Sequence, residues 1–97
     1  MAKGYWVIAW KSVSDPSAVE RYVAPATEAI VAHGGRVVIA AVPAKAYESG
    51  LPSRTVLVEF ESLDAAIAAY EGADYQATLV HLQGNAERDV RIVEGIE

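Results

Sequence analysis

Three stretches of the chain are apolar almost without interruption: Gly4-Tyr5-Trp6-Val7-Ile8-Ala9-Trp10, Val37-Val38-Ile39-Ala40-Ala41-Val42 and Thr55-Val56-Leu57-Val58-Glu59-Phe60. They show little of the apolar/polar alternation of a sheet wetted on one side, so they read as central strands covered on both faces. Between them the period changes from two to three and four. Val19, Tyr22, Val23, Ala26, Ile30 and His33 recur as one buried helical stripe. Asp15 stands as its cap with Pro16 in the first turn, where a missing N–H costs nothing. Gly34-Gly35 ends the helix by offering a left-handed position. Leu63, Ala66, Ile67 and Tyr70 make a second stripe behind Ser62, a second cap. Tyr75, Leu79 and Leu82 resume the stripe beyond Gly72-Ala73 and carry it to Gly84, which predicts a helix broken or bent at that pair.

The strands are expected over Gly4 to Lys11, Arg36 to Val42 (closed by Pro43), Arg54 to Phe60, and a short last one over Val90 to Val93. Lys45 to Pro52, with Ser, Gly and Pro, reads as a long hairpin loop. Strand–helix–strand–strand–helix–strand is the split βαβ, ferredoxin-like order, an α+β class. Right-handed crossovers put both helices on one face of a four-stranded antiparallel sheet. The other face is then bare and apolar, beyond what a soluble monomer usually exposes. A second copy of the chain is the economical cover, giving a two-chain barrel.

Composition sharpens this. With 97 residues the chain reads as one domain, residues 1–97, able to bury roughly 60–70% of its unfolded surface. An apolar fraction of 53% is high for that size and again points to a homodimer. The net charge of −5 and the scattered Lys and Arg residues argue against a nucleic-acid partner, because phosphate binding rests on clustered cations. Without cysteine there are no disulfides or thiolate metal sites. The first residues carry no signal-peptide pattern, and no run approaches the ~20 apolar residues of a membrane span. A cytoplasmic protein with no membrane partner is expected.

No motif names a reaction, so whether the chain is an enzyme stays open. Glu59 lies between Val58 and Phe60; a carboxylate facing a dry cavity has its pKa raised by desolvation and suits a general base. Its competing role is a cross-strand ion pair with Lys11 or an arginine at the barrel rim. His33 ends the first helix, where the helix dipole favours its cation and its ring can bond the last carbonyls; a proton shuttle is the functional alternative. Arg36 and Arg54 begin strands two and three and can clamp a carboxylate or pair with surface acids. Trp6 and Trp10 share a strand face with Ile8, either filling the helix-side core or lining a flat aromatic platform. Val56, Val58 and Phe60 fit the helix side, which leaves Leu57 and Glu59 facing the cavity or the partner. Tyr22, Tyr70 and Tyr75 lie on helical stripes, and Tyr75 follows the expected break, where openings form. Glu59 and His33 are therefore the catalytic candidates, and Trp6, Trp10, Tyr22, Arg36 and Tyr75 the ligand-binding ones. His33 and His81 lack zinc-ligand spacing, so no metal is expected. No phosphate loop, serine triad or other cofactor motif is present.

Tyr5-Trp6-Val7, Asp15-Pro16 with Tyr22, His33-Gly34-Gly35-Arg36, Val58-Glu59-Phe60 before Ser62-Leu63, Asp74-Tyr75-Gln76 and Val93-Glu94-Gly95 stand in an order and spacing that resembles the family called domain of unknown function 1330. That family belongs to the dimeric α/β-barrel group, with small cofactor-independent monooxygenases, muconolactone-type isomerases and stress-response barrel proteins. The resemblance implies the fold and a homodimer, and no activity. Relatives often carry Arg-Gly-Gly at the end of strand two, where this chain has Ala40-Ala41-Val42. Two functions follow as expectations. One is a cofactor-free enzyme or binding protein for a small apolar or aromatic molecule held between helices and sheet. The other is a structural or regulatory homodimer without catalysis.

Overall fold

The structure, a computed structural model, describes residues 2–97. Its elements are β1 (Gly4–Val13), α1 (Pro16–Ala32), β2 (Arg36–Ala41), β3 (Thr55–Phe60), α2 (Leu63–Glu71), α3 (Ala73–Thr78), a 3-10 turn (Leu79–His81) and β4 (Ala86–Glu94). The four strands form one antiparallel sheet in the order β2-β3-β1-β4. One helical layer rests on one face only, and the molecule is 16 Å through its thinnest dimension.

The helix ends follow from local chemistry. The Asp15 carboxylate accepts from the Ser17 N–H at 3.1 Å, and Ser62 caps α2 through the Ala65 N–H at 3.1 Å. Gly34 takes φ +78°, and the Gly35 N–H bonds back to the Ile30 carbonyl at 2.8 Å. A side chain at Gly35 would meet the Phe60 ring at 2.5 Å, so the chain turns into β2 only with glycine there. The broken second helix is present: Gly72 is extended (φ −66°, ψ 146°), and α3 departs from it.

On the helix side, Trp6, Ile8, Trp10, Val58 and Phe60 are buried against Tyr22, Ala26, Ala29 and Ile30 of α1, Ala66 and Ala69 of α2, and Tyr75 of α3. The alanines let the helices approach closely, so the large rings fill the space between layers. Trp6 is fully buried. It lies 4.8 Å from the Tyr75 ring centroid and 5.1 Å from that of Phe60, and its indole N–H donates to the Ala66 carbonyl at 2.7 Å.

The opposite face carries three cross-strand rows. Arg36–Glu59–Tyr5–Val93 lies at one end, Ile39–Leu57–Val7–Arg91 in the middle and Ala41–Thr55–Ala9–Asp89 at the other end. Ile39 and Val93 are each 46% exposed.

Several expectations are corrected. β1 runs to Val13 and β4 starts at Ala86, because Glu87, Arg88 and Asp89 pair with Ser12, Trp10 and Ala9 through backbone bonds that leave no apolar trace. β2 is an edge strand, exposed along its length. Val23 and His33 do not belong to the buried stripe of α1: Val23 is half exposed and His33 only partly covered.

Candidate functional site

α1 does not seal the whole helix-side surface. Between it and the inward side chains of β1, β2 and β3 a cleft of about 270 Å³ remains, walled by Ile8, Trp10, Tyr22, Val37, Val56 and their neighbours, with Val23 and Ala40 also on its lining. Two larger depressions of about 500 Å³ each, one by Ser62, Asp64 and Glu94 and one by Pro25, Asp74 and His81, lie open to solvent and lack aromatic walls.

At one end of the cleft β4 supplies Arg88. It stands directly across the ladder from Trp10, and strand alternation aims it at the helices with Val90 and Ile92. Its guanidinium carbon lies 5.1 Å from the Trp10 ring centroid and 5.3 Å from that of Tyr22, within cation–π range. Nη1 donates to the Tyr22 hydroxyl at 3.2 Å and Nη2 to the Tyr75 hydroxyl at 3.3 Å. The two hydroxyls are 2.5 Å apart. The break at Gly72 makes this possible, because α3 can turn Tyr75 under Tyr22. Burial pushes the Tyr22 hydroxyl above the ordinary phenol range, with Tyr75 adding to the effect and Arg88 opposing it. Tyr22 is therefore protonated at neutral pH.

Arg54 also lines the cleft, from the exposed start of β3. Its carbonyl accepts the Trp10 backbone N–H at 3.0 Å, so Arg54, just ahead of β3, and Arg88 on β4 flank Trp10 on either side. The Trp10 indole N–H is buried and has no hydrogen-bond acceptor.

The residues singled out in the sequence separate into three places. Trp6, Trp10 and Tyr22 line the cleft, and Tyr75 stands behind Tyr22. Glu59 and Arg36 sit on the opposite sheet face, where the carboxylate accepts from Arg36 Nη2 at 3.2 Å and from the Tyr5 hydroxyl at 3.4 Å, with Lys3 Nζ at 3.9 Å. His33 is at the exit of α1, 3.1 Å from Asp74, and this bond holds the Asp74 carboxyl below the usual carboxylate range. Glu59 and His33 thus meet neither each other nor the cleft. Arg88 escaped notice because the last strand was expected to begin at Val90; extending its alternation two residues upstream would have placed Arg88 inside. Among the described residues no group of three His, Asp or Glu could hold a metal ion, and no helix is long and apolar enough to cross a membrane.

A family model matches residues 3–96, nearly the whole chain. The chain belongs to that family, a domain of unknown function (DUF1330). Among curated proteins no sequence matches it. The DUF1330 chain is similar in structure to a protein of unknown function from Rhodopseudomonas palustris, with a TM-score of 0.69 at 13% identity over 99% of this chain and 84% of that one. It is also similar to a dimeric ferredoxin-like protein of unknown function from Thermobifida fusca (TM-score 0.62, 13% identity, 98% and 92% covered). A third is SnoaB, a cofactor-independent oxygenase from Streptomyces nogalater (TM-score 0.58, 11% identity, 99% and 93% covered). At these identities the likeness establishes the ferredoxin-like fold alone.

Proposed function

We propose that this DUF1330 protein is a small homodimeric barrel protein that binds, and without a cofactor can transform, a small apolar or aromatic molecule in the cleft of each protomer. The observation that carries the reading is the cleft itself. Its space is left open by Trp6 and Trp10, which line it, and by Phe60, which packs on Trp6. At about 270 Å³ it falls just below the usual range of ligand pockets, which starts near ~300 Å³, so the occupant is of one-ring size. Aromatic walls with a few polar groups at one end are what such a site needs: apolar burial for affinity, donors for orientation.

The homodimer rests on the outer sheet face. Its central row of Ile39, Leu57 and Val7 would lie solvated in a monomer, against the usual limits on exposed apolar patches. The Thermobifida fusca protein, described as dimeric, has the same fold, and SnoaB supplies a precedent for cofactor-independent chemistry on it.

Native mass spectrometry of the purified chain tests both parts. The expected result is a dimer at micromolar concentration that retains a small organic molecule or takes one up from a library of one-ring compounds. A dimer that takes up none would favour the structural homodimer instead. A monomer at that concentration would sink the barrel.

A further inference from the structure

We infer that the cleft selects an anion: its ligand is a small aromatic carboxylate whose charge is received by Arg88, with Trp10 and Tyr22 stacking and orienting its ring. This deepens the small-molecule reading and rests on it.

Arg88 has five N–H donors and no acceptor; among the described residues its recorded partners are the Tyr22 and Tyr75 hydroxyls, and no carboxylate lies within ion-pair distance of it. Each tyrosine oxygen accepts from Arg88, and one tyrosine donates its proton to the other across 2.5 Å. One phenolic O–H is then left to donate. Tyr75 is fully buried and off the cleft, whereas Tyr22 lines it. The sequence of bonds that satisfies the buried group is Tyr75 to Tyr22, with the Tyr22 O–H spent on a ligand. The Trp10 indole N–H, on a residue 7% exposed that lines the same cleft, has no acceptor either. Among the described residues, Arg88, the Tyr22 O–H and the Trp10 indole N–H thus stand together as donors beside the cleft, and a buried donor without an acceptor is costly.

Charge points the same way. The chain is acidic overall, with 13 Asp and Glu against 8 Lys and Arg, yet among the described residues the charged ones lining the cleft are Arg54 and Arg88. A half-buried guanidinium held by neutral hydroxyls and rings keeps its full charge uncompensated, and in that setting attraction to an anion is several times stronger than in water. A carboxylate fits the planar guanidinium fork. A single negative charge matches the one cation at depth, and the aromatic walls take the ring.

The test is a 15N NMR titration of the full chain with three one-ring acids (benzoate, phenylacetate and 3-phenylpropanoate) and their neutral amides at pH 7. The acids are expected to bind roughly tenfold or more tightly than the amides, as for hydrogen bonds to a charged group, and to shift the Trp10 indole resonance. The backbone amide of Asp64, which lies off the cleft beside Ser62 and Glu94, should stay still and serves as the internal control. Arg88→Met should abolish the preference and Arg88→Lys retain part of it. The wild-type comparison of acid with amide decides the matter even if Arg88→Met fails to fold. Equal affinity for acids and amides, with the Trp10 shift present, would overturn anion selection while leaving the small-molecule reading intact. No shift of any cleft resonance by any probe would overturn both.

Discussion

Along β1, Trp6, Ile8 and Trp10 turn to the helices while Tyr5, Val7 and Ala9 turn away, and the two faces treat charge in opposite ways. On the outer face charges are matched: Glu59 with Arg36 and Lys3, and Arg91 with Asp89 at 3.1 Å. On the helix side the half-buried cation Arg88 is met by hydroxyls and rings. A face whose ions are paired within the protomer suits apolar contact with a second copy; a face with an unmatched cation in a cleft suits an anionic ligand. On the proposed reading the outer face serves assembly and the helix-side cleft a ligand, and substitutions can break that difference one face at a time.

The largest effect should come from the helix side. Trp6→Ala removes a fully buried ring that touches Phe60, Tyr70 and Tyr75 and should cost about 3–5 kcal/mol, as for large-to-small core changes. Tyr5→Ala, one residue away on the outer face, should cost about 1 kcal/mol. Urea unfolding at one fixed protein concentration measures both, which matters because a dimer's apparent stability depends on concentration. Similar losses for the two would mean that the faces are not distinct in the way described.

Next in size is the outer face itself. Ile39→Asp places a carboxylate in the middle apolar row at a position 46% exposed in the protomer, so folding of one chain should be nearly unaffected. Burying that charge in an interface should raise the dimer dissociation constant about a hundredfold, roughly 2.7 kcal/mol. Sedimentation equilibrium reads it. An unchanged dimer would move the interface elsewhere.

Much of this division was readable from the sequence, and the failures have physical causes. The element order followed from the change of period, and the parity of β3 already separated Val56, Val58 and Phe60 from Leu57 and Glu59. The faces of Trp6 and Trp10 were not readable, because β1 is apolar on both sides and its pattern has no sign. β2 looked central for the same reason: an apolar edge strand reads like a covered one. Glu59 and His33 stood out for their chemistry, but strand parity turns Glu59 outward onto Arg36, and the helix end ties His33 to Asp74. Arg88 sits in Ala-Glu-Arg-Asp, a run without periodic signal, whose strand character comes only from pairing with β1.

The Tyr22–Tyr75–Arg88 group gives a smaller, pH-dependent effect. The Tyr22 hydroxyl titrates above its unfolded value, with burial as the main cause. Above pH ~10, the unfolded tyrosine pKa, the unfolded chain releases this proton more readily than the folded one, so the folded state binds more protons there. Stability is then fully present below pH ~10 and falls as pH rises beyond it. Tyr22→Phe should cost about 1–2 kcal/mol at pH 7, by leaving Arg88 and Tyr75 short of a partner, and should flatten the alkaline decline. Urea unfolding from pH 8 to 11 tests this; a slope identical in wild type and variant would detach Tyr22 from it.

The smallest effect tests where the chemistry is not. Glu59→Gln keeps the shape of a side chain that is 21% exposed and removes charge pairing with two cations that are themselves half exposed or more. Ion pairs so placed contribute about 0–1 kcal/mol, and the amide can still accept from Tyr5 and Arg36. Thermal unfolding should therefore change little, and the acid-over-amide preference of the cleft not at all. Glu59 is the only ionisable residue in β3 and the carboxylate that most resembles a general base in the sequence. If Glu59→Gln abolished binding or turnover of a cleft ligand, the partition between a receptor face and an assembly face would fail, and the outer face would have to supply a catalytic group to the site.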